Sequence, residues 1–239
     1  MSKFKHSILP SLTNIERVDV NESRHYAYRG VAYPSITTVL GSIHNEWLAS
    51  WKESVGPDRA SAISRKAASI GTALHSLCEA YLQNNERGVI KQLRSAMPEV
   101  QVRFRNFKPF LNDISEVFIQ EAPLVSSILK VAGTVDCFAV YKGRPCVIDF
   151  KTSNSVKTKE DIEHYFAQAT FYAYAIAEMY SVPLPDIVIA IAVNGLKEPL
   201  VFESKPKLHV KFLVDTIKTY YELEKNREKE EESKLLICN

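Results

Sequence analysis

No run of about 18 apolar residues occurs in the chain, so the sequence offers no membrane-spanning helix. The opening MSKFKHSILPSL has no apolar stretch long enough for a secretory signal, and it lacks the arginine-rich amphipathic pattern of a transit peptide. Cysteine is scarce. Cys78, Cys137, Cys146 and Cys238 form no CxxC pair and show no zinc-ligand spacing. Three of the four lie in apolar segments and read as small buried hydrophobes, which fits a reducing compartment. No GxxxxGK[ST] phosphate loop is present, so the chain carries no helicase motor of its own. An excess of one charge is also missing: 30 Lys and Arg against 28 Asp and Glu leave a net +2, which gives no global cationic signal for a nucleic-acid partner. Local clusters remain, with Arg59, Arg65 and Lys66 in one segment and Lys157 and Lys159 in another. No repeat or low-complexity linker divides the 239 residues, which are enough to bury a sizeable core. These absences leave an ordinary globular chain, expected in the cytoplasm as a bacterial protein or a viral one acting in the host.

What the chain does carry is concentrated between residues 131 and 153. VAGTVDCFAVY, Val131 to Tyr141, is rich in β-branched and aromatic residues and predicts a strand. Lys142-Gly143 is a tight-turn signal, and RPCVIDFK, Arg144 to Lys151, predicts the partner strand. Alternation puts Val147, Asp149 and Lys151 on one face, and Cys146, Ile148 and Phe150 on the other. The hairpin would bring Asp136 beside Asp149, with Lys151 two residues further on. Two carboxylates can hold a hard divalent cation, and an ammonium beside it can stabilise charge developing at phosphorus. That is the chemistry of a metal-dependent nuclease.

Other segments converge on the same place. Ser115 to Leu124 reads as a third strand and carries Glu121. Ala60 to Leu82 reads as a long helix, in which Gly71, His75 and Glu79 recur every fourth residue and line one face. His75 offers a nitrogen ligand, Gly71 allows close approach, and Glu79 reads as a solvated helix residue. Asp161 to Tyr180 reads as an amphipathic helix with Tyr165, Gln168 and Tyr172. Met1 to about Ser23 reads as irregular. A small hairpin turns at Arg29-Gly30, Ser35 caps a short helix, and Asn45 to Ser54 is expected to be helical with Trp47 and Trp51 on one face. Arg87 to Ile114 reads as helix broken near Pro98. Two more strands follow at Asp186 to Asn194 and Leu200 to Glu203, and a helix from Lys207 closes the chain.

GTALH, AGTVD, DFKTS and QATFY, in that order, resemble the motifs of the PD-(D/E)XK nuclease superfamily in its RecB-like exonuclease branch. Within it the chain is most similar to small single-domain enzymes related to the mitochondrial genome maintenance exonuclease, a likeness the PSITTVL segment at Pro34 to Leu40 shares. The resemblance implies an α/β (α+β) fold with a restriction-endonuclease-like core, a central mixed β-sheet flanked by helices, and an N-terminal helical part walling the cleft. Residues 1–33 would be an arm and small hairpin, and 34–239 a single nuclease domain.

It further implies Lys151, Asp149 and Asp136 as catalytic residues. The ligands of Mg²⁺ or Mn²⁺ would be His75, Asp136, Asp149 and the Phe150 carbonyl, with Glu121 in support. Gln168, Tyr172, Tyr165, Thr152, Ser153, Gly71 and Thr72 would lie along the nucleic acid, and Trp47, Trp51 and Arg65 are added as further contacts. Some RecB-like nucleases hold an iron–sulfur cluster through one early cysteine and a late group of three. That late group is missing here, so no such cluster is expected. The implied activity is exonucleolytic hydrolysis of DNA, single-stranded ends first, in replication, repair or recombination, beside a separate helicase or recombination protein. A non-cleaving nucleic-acid-binding module and an endonuclease of the same fold are the alternatives.

Overall fold

The computed structural model describes the chain apart from residues 1, 2, 8, 11–13, 22, 44–49, 51 and 238–239, and apart from the side chains of 231–237. Its centre is a six-stranded mixed sheet in the order β1 (Lys5–His6), β5 (Ile114–Ser126), β6 (Val131–Tyr141), β7 (Arg144–Ser153), β8 (Asp186–Val193) and β9 (Leu200–Ser204). A second sheet of three antiparallel strands, β2 (Glu16–Val20), β3 (Ser23–Tyr28) and β4 (Val31–Pro34), precedes the first helix. The helices are α1 (Ile36–Ser42), α2 (Pro57–Leu82), α3 (Glu86–Ser95), α4 (Pro98–Leu111), α5 (Glu163–Tyr180) and α6 (Val210–Ile237).

The β6–β7 hairpin forms where the sequence predicts it, closing at Lys142 and Gly143. Both have positive φ, 47° and 77°, as a two-residue turn matched to strand twist requires. Alternation then sorts the helices. Val147, Ile187, Ile189 and Ile191 join one core with residues of α1, α5 and α6. Cys146, Ile148, Phe150 and Val188 join another with residues of α2, α4 and the start of β5. The sheet is thus sealed on both faces, as expected for a strand pair running parallel, here β7 and β8 with α5 as the crossover. Each fully buried Leu of α2, such as Leu74 and Leu77, contributes roughly 1.5–3 kcal/mol.

Two features depart from the sequence reading. The segment before Ser23 is not irregular throughout: Phe4 is buried in the core on the α2 side, β1 adds to the edge of the main sheet beside β5, and β2 pairs along its length with β3. β2 escaped notice because ERVDV is exposed on nearly every residue, so it has no apolar face to betray it. β7 also runs two residues past Lys151, because β8 pairs with it as far as Ser153.

Candidate active site

β6 and β7 are hydrogen-bonded only from Cys137–Ile148 to Tyr141–Arg144. Beyond Ile148 they part, and β7 is held by β8 alone. In the gap, the Phe150 N–H, having lost its ladder partner, donates to Asp136 Oδ2 at 2.7 Å. Side-chain alternation slips at the same level: Val135 lies in the α5-side core and Cys137 in the α2-side core. Across from Asp136, between the Gln120–Cys137 and Ala122–Val135 pairs, Glu121 has φ of +43°. A non-glycine residue in the left-handed region stores strain, and such residues gather at functional sites.

His75 reaches this gap from α2. Its Nε2 lies 2.7 Å from the Phe150 carbonyl oxygen, while Nδ1 lies 3.5 Å from Asp136 and 3.9 Å from Glu121. Ligand atoms of His75, Glu121 and Asp136 all fall within 4.8 Å of one another. Asp149, 1% exposed, stands beside this trio with its Oδ2 against the Lys151 ammonium and its Oδ1 buried without a hydrogen-bond partner. A buried carboxylate oxygen with no donor is costly unless a cation or a polar ligand meets it. One imidazole and three carboxylates, with a carbonyl nearby, are hard donors that suit Mg²⁺ or Mn²⁺.

The charges are set by one another. Burial alone would lower the His75 pKa, but the Asp136 carboxylate outweighs it and pushes it up to about 9. Burial raises Asp149 to about 6, against the pull of Lys151, and raises Glu121 to about 7 with the help of Asp136. Asp136 is buried too, yet His75 and Lys151 hold its pKa below the usual carboxylate range. Burial works against the Lys151 ammonium, but Asp149 and Asp136 prevail and raise its pKa.

The remaining sequence-predicted residues divide. Tyr165 places its ring 5.1 Å from the Lys151 ammonium, and Gln168 donates to the Tyr172 hydroxyl at 3.1 Å. Tyr172 itself is 2% exposed and packs in the core, so it offers no face for base stacking. A Cβ on Gly71 would meet Thr152 Oγ1 at 3.7 Å, which places α2 directly against the end of β7. Ser153 Oγ donates to the Ser155 carbonyl and so closes its own turn. Thr72 and Arg65 are exposed on α2. Glu79 accepts from Gln83 one turn on. Trp47 and Trp51 lie outside the described residues.

Other residues escaped the sequence reading. A cavity of about 200 Å³ is lined by His75, Glu121, Asp136 and Lys151, and also by Arg24, Tyr26, Ser35, Thr37 and Thr134. The wall of the cleft expected from N-terminal helices is therefore shared by α1, α2 and the strand β3. Ser35 makes an isolated parallel bridge to Ala132, which fixes the PSITT segment beside Gly133. A Cβ at Gly133 would lie 3.0 Å from both Ile36 Cγ2 and Tyr172 Cε1, so a larger residue there would need both side chains to give way by a few tenths of an ångström. The buried Arg103 of α4 ties down the far end of β7: it donates to the carbonyls of Ser153 and Ala192 at 2.9 and 3.0 Å and to Asn154 at 2.7 Å. The signal for it was an arginine on the same helix face as Val100, Phe104 and Phe107, a position where an unpaired charge would not be tolerated.

Among known proteins, the chain is similar to mitochondrial genome maintenance exonuclease 1 of Mus musculus, with 29% identity over 133 residues. That match covers 52% of this chain and 38% of the mouse protein. Of solved structures, a candidate exonuclease from Eubacterium rectale superposes with a TM-score of 0.46 at 11% identity, over 67% of this chain and 68% of that one. SSO0001 superposes with a TM-score of 0.34 at 16% identity, over 64% and 74% respectively. The sequence model of the PD-(D/E)XK nuclease superfamily matches residues 44–234, well over half of the chain, and the protein belongs to that superfamily.

Proposed function

We propose that the protein is a metal-dependent DNA exonuclease that hydrolyses phosphodiester bonds from single-stranded ends. The observation that carries this reading is the cluster at the parted strands, where Asp136, His75 and a charged Lys151 share one small cavity and Asp149 pairs with the lysine. The end requirement and the DNA substrate follow the name of the similar mouse protein, an exonuclease. The half-buried ring of Tyr165 beside Lys151 supports the single-strand preference, since unpaired bases expose the faces that stack on aromatic rings.

His75, Asp136, Asp149 and the Phe150 carbonyl would hold a Mg²⁺ or Mn²⁺ ion, with Glu121 in support. Such an ion, once bound, supplies Lewis-acid polarisation of a phosphoryl oxygen and a more acidic water. The protein's own residues do the rest. The Lys151 ammonium, kept charged by Asp149 and Asp136, donates to a phosphoryl oxygen as negative charge builds, an effect worth about 10²–10³ in rate. This favours charge stabilisation over proton abstraction as the role of Lys151. The unpartnered Oδ1 of Asp149 is the oxygen left to face the ion, since Oδ2 is held by Lys151. Gln168, fixed by Tyr172, touches the strand beside the lysine. The cellular setting that fits is DNA replication, repair or recombination in the cytoplasm, beside a helicase supplied by another protein.

The test is digestion of end-labelled linear and circular DNA, single- and double-stranded, in Mg²⁺ or Mn²⁺ and again with chelator. Linear single strands should disappear first, and only with metal. Circular single strands cut equally fast would make the protein an endonuclease. Binding without any cleavage would make it a nucleic-acid-binding module on a nuclease fold.

A further inference from the structure

The lining of the cavity mixes the acids Glu121 and Asp136 with the basic groups His75, Lys151 and Arg24 and a set of hydroxyls. Tyr26 and Thr134 are hydrogen-bonded at 2.9 Å, and Ser35 and Thr37 at 2.8 Å. Arg24 is exposed, and among the described residues its guanidinium makes no hydrogen bond or ion pair, not even with Asp19 opposite it on β2. Its backbone is nevertheless fixed. The Arg24 carbonyl accepts from Ser35 N at 2.9 Å and from Thr38 Oγ1 at 3.3 Å. An uncommitted guanidinium on a fixed backbone matches a phosphate, which has two oxygens to offer its fork. Lys151 is buried and engaged by Asp149, so of the two basic side chains Arg24 is the one left uncommitted in the same cavity.

We propose that Arg24, with the Thr37 hydroxyl, forms a phosphate subsite that anchors the strand next to the bond being cut. This rests on the hydrolase reading for its substrate, a nucleic-acid strand. The phosphate is either an internal diester or the monoester at a strand end. The PSITT segment thereby gains a role in binding, since the exposed Thr37 lines the cavity while the buried Ser35 caps the helix and its bridge to Ala132 holds the segment beside the strand of Asp136.

The experiment measures binding of a fluorescent single-stranded oligonucleotide to the full chain in Ca²⁺, by anisotropy. Arg24→Gln should weaken binding about ten-fold and Arg24→Lys should recover part of it, with the melting temperature and Mn²⁺ titration unchanged. Thr37→Val should weaken it about two- to three-fold. Neutral methylphosphonate, placed at each position in turn, should cost the wild type affinity at one position where it costs Arg24→Gln nothing further. Oligonucleotides with a terminal phosphate or a terminal hydroxyl then tell the two sources apart. Arg24→Gln binding as tightly as wild type, or as sensitive as wild type at every position, would overturn the subsite. So would a loss of affinity that only tracks a loss of folded protein and is matched by Arg24→Lys. Wild-type protein that binds but never cuts would sink the hydrolase reading and leave this comparison to stand or fall by itself.

Discussion

The two halves of the β6–β7 pair are built from the same strands to opposite ends. In the paired half, Cys137 to Tyr141 face Arg144 to Ile148 in an unbroken ladder, and Cys137, Ala139, Cys146, Val147 and Ile148 are fully buried and uncharged at neutral pH. In the parted half, one to three residues away, sit Asp136, Asp149, Lys151 and a carboxylate oxygen with no donor. The paired half satisfies every rule of a stable core, and the parted half breaks several of them at once. The difference teaches where the energy for the second comes from. A close-packed ladder adjoining the gap holds the strands in place while charged groups are buried between them.

The sharpest way to separate the halves is to alter one residue in each. Lys151→Gln keeps a hydrogen bond for Asp149 and removes the charge, so kcat should fall by about 10²–10³ while the fold survives, read by turnover alongside thermal melting. Ile148→Ala should do the reverse. It opens a cavity in the ladder at a cost of about 2–5 kcal/mol by denaturant titration, with turnover per folded molecule unchanged. Should Ile148→Ala abolish turnover in the folded fraction, the two halves are not separable. His75→Ala should raise the Mn²⁺ concentration for half-maximal activity by about 10–100-fold, more clearly than for Mg²⁺, because imidazole suits manganese better. An unchanged metal titration would return His75 to the role of a packing residue. Gly133→Ala tests the boundary. Its methyl group meets Ile36 and Tyr172, so about 1–3 kcal/mol should be lost, and activity with it, because Asp136 follows three residues on.

The smallest effect is in pH. His75, raised to about 9, adds stability that is full below about 6.5 and is lost as pH rises through about 9. Asp149 and Glu121, raised to about 6 and about 7, also bind protons more tightly in the folded protein, so their penalty sets in as pH climbs from about 4 to about 7. All three therefore make the metal-free protein less stable as pH rises across this range. A cation that binds the deprotonated groups should restore more at pH 8 than at pH 6. Melting scans with and without Mn²⁺ at the two values check the sign, and an equal shift at both would refute it.

How much of this was legible follows from what each part depends on. The hairpin, its turn, its facing pattern and the flanking helices were readable because period-2 alternation and a Lys-Gly turn are local signals. The convergence of GTALH, AGTVD and DFKTS was readable through their resemblance to a motif series, and the structure puts the side chains of His75, Asp136 and Lys151 in one cavity. What stayed hidden was set by distant partners. β2 exists because β3 pairs with it, not because ERVDV favours a strand. Arg103 looks like a helix charge until Ser153 and Ala192 supply its acceptors. The slip at Asp136 and the left-handed turn of Glu121 lie across from each other on paired strands, a coincidence that no single segment encodes.

The pairing of β7 also bears on how the molecule comes together. β5, β6 and the first half of β7 form a meander of near neighbours in the chain, which can close early. From Asp149 onward, β7 finds its backbone partner only in β8, where Asp149 pairs with Ile189, 40 positions later. That contact waits for α5 to be made and laid across the sheet, and such long-range closure is slow. The strand end that carries Asp149 and Lys151 should be the last part of the central sheet to become fixed. A chain emerging from the ribosome would hold Asp149 and Lys151 unfixed until β8 had been made.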